Sequence, residues 1–123
     1  MRTVLTALVL AALAAGAAFA QVGNAAGNAA DEVRKGHQLA ALLCANCHVA
    51  APDQPFPPIL NPPAPSFASI VARKDFDAEA VAKFITTTHR GLDNPNGMPN
   101  PYLVDYQVKE IVAYLLSLRR AEH

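Results

Sequence analysis

Cys44 and Cys47 are the two cysteines of the chain, and His48 follows the second directly, in the pentapeptide CANCH. On a helix, residues three and four apart share a face, so both thiols and the imidazole would look at one object. Four kinds of partner suit such a set. A disulfide across so short a loop contributes little entropy and leaves His48 without a role. A thioredoxin-like redox pair wants a strand-to-helix junction, whereas DEVRKGHQLAALL before Cys44 carries no strand signal. Zinc usually takes four N or S ligands, and His37, His89 and His123 stand at no recurring ligand spacing. The fourth partner is covalent haem, whose attachment signature is C-x-x-C-H. Two thioethers then fix the macrocycle's edge while the adjacent imidazole reaches its iron.

The start of the chain sets the compartment. One basic residue, Arg2, precedes an uncharged apolar run that ends in Ala18-Phe19-Ala20 before Gln21. This is the plan of a secretory signal peptide over residues 1–20, with an A-x-A cleavage site. Left uncleaved, the segment would anchor the protein in a membrane, but it is short for a span. Cleavage predicts an exported, periplasmic protein, an oxidising setting for the cysteines. With Arg2 gone, the ten acids outnumber Lys and Arg by one. That balance argues against nucleic acid or an anionic membrane surface as partner, since both need a basic stripe. About a hundred residues without Trp make one small domain with a thin core. A large apolar prosthetic group would fill it.

Residues 21–30 are small and polar and read as a flexible leader. A helix is expected from residues 28–31 to about His48, with Val33, Gly36, Ala40, Leu43 and Cys47 on one stripe and Leu42 nearly opposite. Gly36 costs such a helix about 1 kcal/mol against Ala, so its use is to let another helix approach closely. Residues 49–67 hold most of the ten prolines, which excludes regular helix or central strand. Phe56, Ile59, Leu60 and Phe67 are too apolar for a solvated linker, so the segment reads as a stiff loop wrapped over the haem. A short helical turn in SFASIVAR should follow. A helix over 77–89 is expected next, with Asp75 or Asp77 as N-cap, Val81, Phe84 and Ile85 buried, and Gly91 as C-cap. Residues 92–101 are turn chemistry, and 105–120 form a strong last helix.

The iron's second face separates electron transfer from chemistry. Met98, in NGMPN between two helices, is the one methionine beyond Met1. Thioether sulfur is a soft ligand that raises a haem's potential relative to a second imidazole. His89 is the rival, while His37 and His123 are expected to be solvated.

With these residues in place the chain resembles the class I monohaem c-type cytochromes over most of 31–120. The resemblance implies an all-α fold, three main helices and a short one, around one covalent haem c. It also implies that Gly36 and Tyr114 meet where the first and last helices cross. The proline carbonyl in APSF, Pro65, would accept a bond from His48, and GMPNPYL resembles the methionine-ligand loop. Ala40 stands where many members carry an aromatic, Val104 replaces the usual Ser or Thr cap with Asp105 as substitute, and LDNPN is an apparent insertion. Arg73, Lys74 and Arg90 are candidates for the haem propionates.

The expected organisation is therefore signal peptide 1–20, leader 21–30, cytochrome c domain 31–120 and tail 121–123. Cys44, Cys47, His48, Pro65 and Met98 would bind haem, with His48 and Met98 on the iron. The expected function is a monomeric periplasmic one-electron carrier, not an enzyme, meeting a redox donor and acceptor transiently. Two other readings remain: an electron-accepting subunit of a periplasmic dehydrogenase, and a haem enzyme or gas-binding protein with a labile sixth ligand.

Overall fold

A computed structural model describes residues 27–121. The signal segment and most of the leader lie outside the described residues. The chain divides into two units at Asp31, and apart from helical residues 27–31 everything below concerns the second. Four helices are described: α1 over residues 27–43, α2 Phe67–Val71, α3 Ala78–Ile85 and α4 Asp105–Ala121. No strand occurs among the described residues, and one isolated parallel bridge pairs His48 with Ala64. The all-α fold read from the sequence is the fold observed.

The helix starts follow local chemistry. Ser66 Oγ accepts the Ser69 amide at 3.1 Å to open α2. The Asp77 carboxylate accepts the Glu79 and Ala80 amides at 3.2 and 3.3 Å to open α3, which satisfies donors that the first helical turn leaves orphaned. At α4, Asp105 does not supply the cap. Gln107 Oε1 accepts the Val104 amide at 3.1 Å, the reaching-back half of a capping box. Asp105 in the first turn and Arg119 and Arg120 in the last suit the helix dipole.

α4 is the spine. Both α2 and α3 pack on it, and α1 crosses it at Gly36. A Cβ built on Gly36 would overlap the Glu110 carbonyl oxygen and lie 2.9 Å from Tyr114 Cβ. The core is small: Ala40, Ala50, Ala51, Phe67, Val71, Ile111, Tyr114 and Leu115. Tyr114 and Phe67 are its aromatic residues, and the Tyr114 hydroxyl donates to the Ala50 carbonyl at 3.3 Å.

Several expectations are corrected. α1 ends at 43 and the cysteines ride on the turn that follows, although Cys44 N–H still donates to the Ala40 carbonyl at 2.9 Å. Its buried line passes through Gly36 and Ala40 with Val33 and Cys44 packed alongside, while Leu43 is exposed. The crossing with α4 sets that line. α3 stops at Ile85 with Thr86 as its C-cap, so Gly91 caps nothing. None of its residues is fully buried, and Phe84 is exposed because it meets His89 rather than the core. His37 is not solvated: it is half-buried, bonded to Asp53 at 2.7 Å and edge-on to Tyr114 at 5.2 Å. His123 lies outside the described residues. Leu42 is exposed at 73 %, as expected.

Candidate functional site

The turn after α1 brings the three CANCH side chains together. His48 N–H donates to the Cys44 carbonyl at 2.9 Å and Cys47 N–H to the same carbonyl at 3.1 Å, which holds the pentapeptide in a helix-like turn. Both thiols are free and half-buried. Burial first, and then the neighbouring Cys47, push the Cys44 thiol up to about 11. A thiol held protonated is a poor redox nucleophile, which weighs against a thioredoxin-type pair.

The proline-rich segment is fastened along this turn by its backbone. The amides of Ile59 and Leu60 both donate to the Asn46 carbonyl, at 3.0 and 3.3 Å. Ala64 N–H donates to the Cys47 carbonyl at 2.9 Å, and Phe67 N–H to the Val49 carbonyl at 3.0 Å. Gln54 organises the near end, accepting the Ala50 amide at 2.7 Å and donating to the Phe56 carbonyl at 2.8 Å. Sequence reasoning missed Gln54, and its polar type in a loop carried no signal. On this segment Phe67 is buried in the protein core, while Phe56, Ile59 and Leu60 present their side chains outward. Backbone fastening fixes the path of a loop without burying its side chains.

The path delivers Pro65 to His48. Nδ1 of His48 lies 2.7 Å from the Pro65 carbonyl oxygen. A carbonyl only accepts, so Nδ1 carries the proton and a neutral imidazole presents Nε2 as a bare lone pair. Phe67 packs against the ring at 5.6 Å between centroids and limits its tilt. Two unbridged thiols and an oriented imidazole are therefore neighbours on one turn. Exposed Leu43, Val49, Ile59 and Leu60 belong to that turn's flanks and to the segment bonded to Asn46. This donor set and apolar surround fit a haem c bound through Cys44 and Cys47.

Met98 is half-buried in the loop between α3 and α4, and its carbonyl accepts the His89 amide at 2.9 Å. No hydrogen bond joins Met98 to the Cys44–His48 turn among the described residues. His89 has another use: Nε2 donates to the Phe84 carbonyl at 3.1 Å, and the ring stacks on Phe84. Arg73 is paired with Asp75 at 2.7 Å, whereas Lys74 and Arg90 are exposed.

Among the described residues no group of three or more His, Cys, Asp or Glu could hold a metal ion by itself. No helix among them is long and apolar enough to cross a membrane.

The profile of the family described as Cytochrome c matches residues 33–119. The chain is also similar to a protein named "Cytochrome c-552" from Bradyrhizobium diazoefficiens. They are 38% identical over 84 residues, which covers 68% of this chain and 72% of the relative. No solved structure matches at a comparable level of significance.

Proposed function

This chain belongs to the cytochrome c family, and from that membership we propose that it is a periplasmic one-electron carrier with His48 and Met98 on its iron. Family membership carries the coarser part: a haem c electron carrier, the group held through Cys44 and Cys47. When bound, haem c supplies one-electron exchange between Fe(III) and Fe(II).

The observation that carries the finer reading is the His48–Pro65 bond of 2.7 Å. It selects the tautomer with a free Nε2 and holds the ring in one orientation, beside the two thiols that anchor the macrocycle. Phe67 supports that orientation from within the core. Ligation by Met98 is supported by its place in a Gly-Pro turn between α3 and α4 and by the attachments of its rival. The rival imidazole, His89, has Nε2 committed as a donor to Phe84 and its face covered by the Phe84 ring. Two retained protein ligands would leave no open coordination position, which favours a carrier over an enzyme. The signal-like segment 1–20 supports the periplasm. Encounters with donor and acceptor are then transient, as in small redox interfaces.

Visible spectra test the ligand pair. Oxidised protein is expected to show the weak far-red absorption of a thioether on ferric haem, and reduced protein to refuse carbon monoxide. Met98→Ala should abolish the band, lower the potential and admit carbon monoxide. A Met98→Ala protein that keeps the parent's six-coordinate spectrum, with His89→Ala losing it, would transfer the role to His89. Ready carbon monoxide binding by the unaltered protein would move a gas-binding or enzymatic reading ahead.

A further inference from the structure

We propose that His89 is a positioning residue that fastens the loop carrying Met98 to the end of α3. Its consequence for the iron rests on the reading of Met98 as a ligand, while the fastening itself stands on geometry alone.

Residues 89–98 form one self-bonded unit. The His89 amide donates to the Met98 carbonyl at 2.9 Å, closing the base of the loop. Gly91 and Asn94 exchange backbone bonds at 3.1 and 3.2 Å, and Gly97 N–H donates to the Asn94 carbonyl at 3.1 Å. Asn94 Nδ2 then donates to the His89 carbonyl at 3.0 Å. A Cβ on Gly97 would overlap that same carbonyl oxygen and lie 2.6 Å from Asn94 Nδ2. Gly97 has no positive φ, so space rather than backbone freedom demands glycine there. The LDNPN insertion is thus folded into a closed loop and is no loose flap.

Those internal bonds do not by themselves attach the loop to the domain, but the His89 ring does. It stacks on Phe84 with centroids 3.7 Å apart and planes 11° from parallel. Nε2 donates to the Phe84 carbonyl at 3.1 Å, in the last turn of α3, where the same oxygen also accepts the Thr87 amide at 3.2 Å. On the other side of Met98, Asn100 Nδ2 donates to the Thr86 carbonyl at 3.0 Å. Met98 is therefore held between two attachments to the end of α3, and the one before it is an aromatic stack plus a hydrogen bond. Loss of that attachment would let the loop, and the thioether with it, open more often.

The experiment uses the holoprotein and its variants His89→Ala and His89→Phe. Hydrogen–deuterium exchange is followed at the amides of positions 89 and 97, beside carbon monoxide binding to reduced protein and the far-red band. Removing a stack and a hydrogen bond should speed exchange at both amides by roughly tenfold, and carbon monoxide binding with it. The band should persist, because Met98 is still present. His89→Phe keeps the stack and should fall between the two. Exchange at both positions within about twofold of the parent in His89→Ala would overturn the proposal. So would an acceleration spread equally over α4, which marks general destabilisation. Met98→Ala in the same series separates the two readings. If it keeps the parent's spectrum, ligation by Met98 falls, while exchange at positions 89 and 97 still decides the fastening.

Discussion

Gly36 of α1 lies against the Glu110 carbonyl of α4, with the Tyr114 side chain beginning 2.9 Å from where a Cβ would stand. The obstacle is backbone, so no rotamer change relieves it and any larger residue must push the helices apart. Gly36→Val is expected to destabilise the fold by about 1–3 kcal/mol or more, as overpacking does. Tyr114→Ala should cost about 3–5 kcal/mol, the range for deleting a buried aromatic. Denaturant midpoints measure both, and two midpoints at the parent value would remove the crossing from the account of stability.

Tyr114 also carries a pH signature. Burial first, and then the charge of Asp53, raise its phenol above the ordinary value. A raised folded pKa means that the neutral form is favoured on folding. The contribution is full below the unfolded pKa of about 10 and is lost as pH rises through the folded value. Tyr114→Phe should cost about 0.5–1.5 kcal/mol near neutrality through its lost bond to Ala50. Its stability should decline less steeply than the parent's on the alkaline side; parallel alkaline limbs would contradict the assignment.

Asp53 acts at the other end of the scale. Its hydrogen bond from His37 first, and then its own backbone amide, hold the carboxyl below its usual range. A depressed folded pKa contributes stability above the unfolded value of about 3.9 that is lost as pH falls through the folded one. The gap between parent and Asp53→Asn unfolding midpoints should therefore be present at neutral pH and close on acidification. A gap that ignores pH would show that the carboxylate's charge plays no part.

Gln107 reaches back to accept the Val104 amide at the start of α4, the half of a capping box that a Glu or Gln supplies. Gln107→Ala should cost about 0.5–1 kcal/mol, the scale of a lost helix cap, and fray the first turn of α4. Gln107→Glu keeps an acceptor and should restore most of it. Circular dichroism melts of the pair would show whether the Val104 amide depends on that side chain.

Much of the site was legible because it is written in adjacent residues. CANCH placed two thiols and an imidazole on one turn, and Asp77 announced the start of α3. The resemblance of APSF supplied Pro65, and the geometry puts its carbonyl 2.7 Å from His48. The V-x-x-Q of Val104 and Gln107 is also local, yet it carries a weak signal because the usual hydroxyl half of the pattern is missing. The half-buried setting of His37 is not legible locally, since nothing near it in the chain foretells Asp53.

Sequence alone determined what depends on neighbours a few residues apart: four helices, a proline-stiffened loop, the thiol-imidazole turn and a methionine in a Gly-Pro turn. Steric exclusion by proline and i to i+4 bonding act over those distances. Tertiary structure decided which groups meet across the chain. The Tyr114 hydroxyl finds Ala50 across 64 residues and Lys109 finds Glu32 across 77, and Gly36 admits the α4 backbone. His89, a rival for the iron on sequence, stacks on Phe84 and bonds to its carbonyl. Such contacts form only when several helices are already packed. Their partners are then chosen by shape and by the hydrogen bonds that buried or half-buried polar groups must make, and no short stretch of sequence carries that choice.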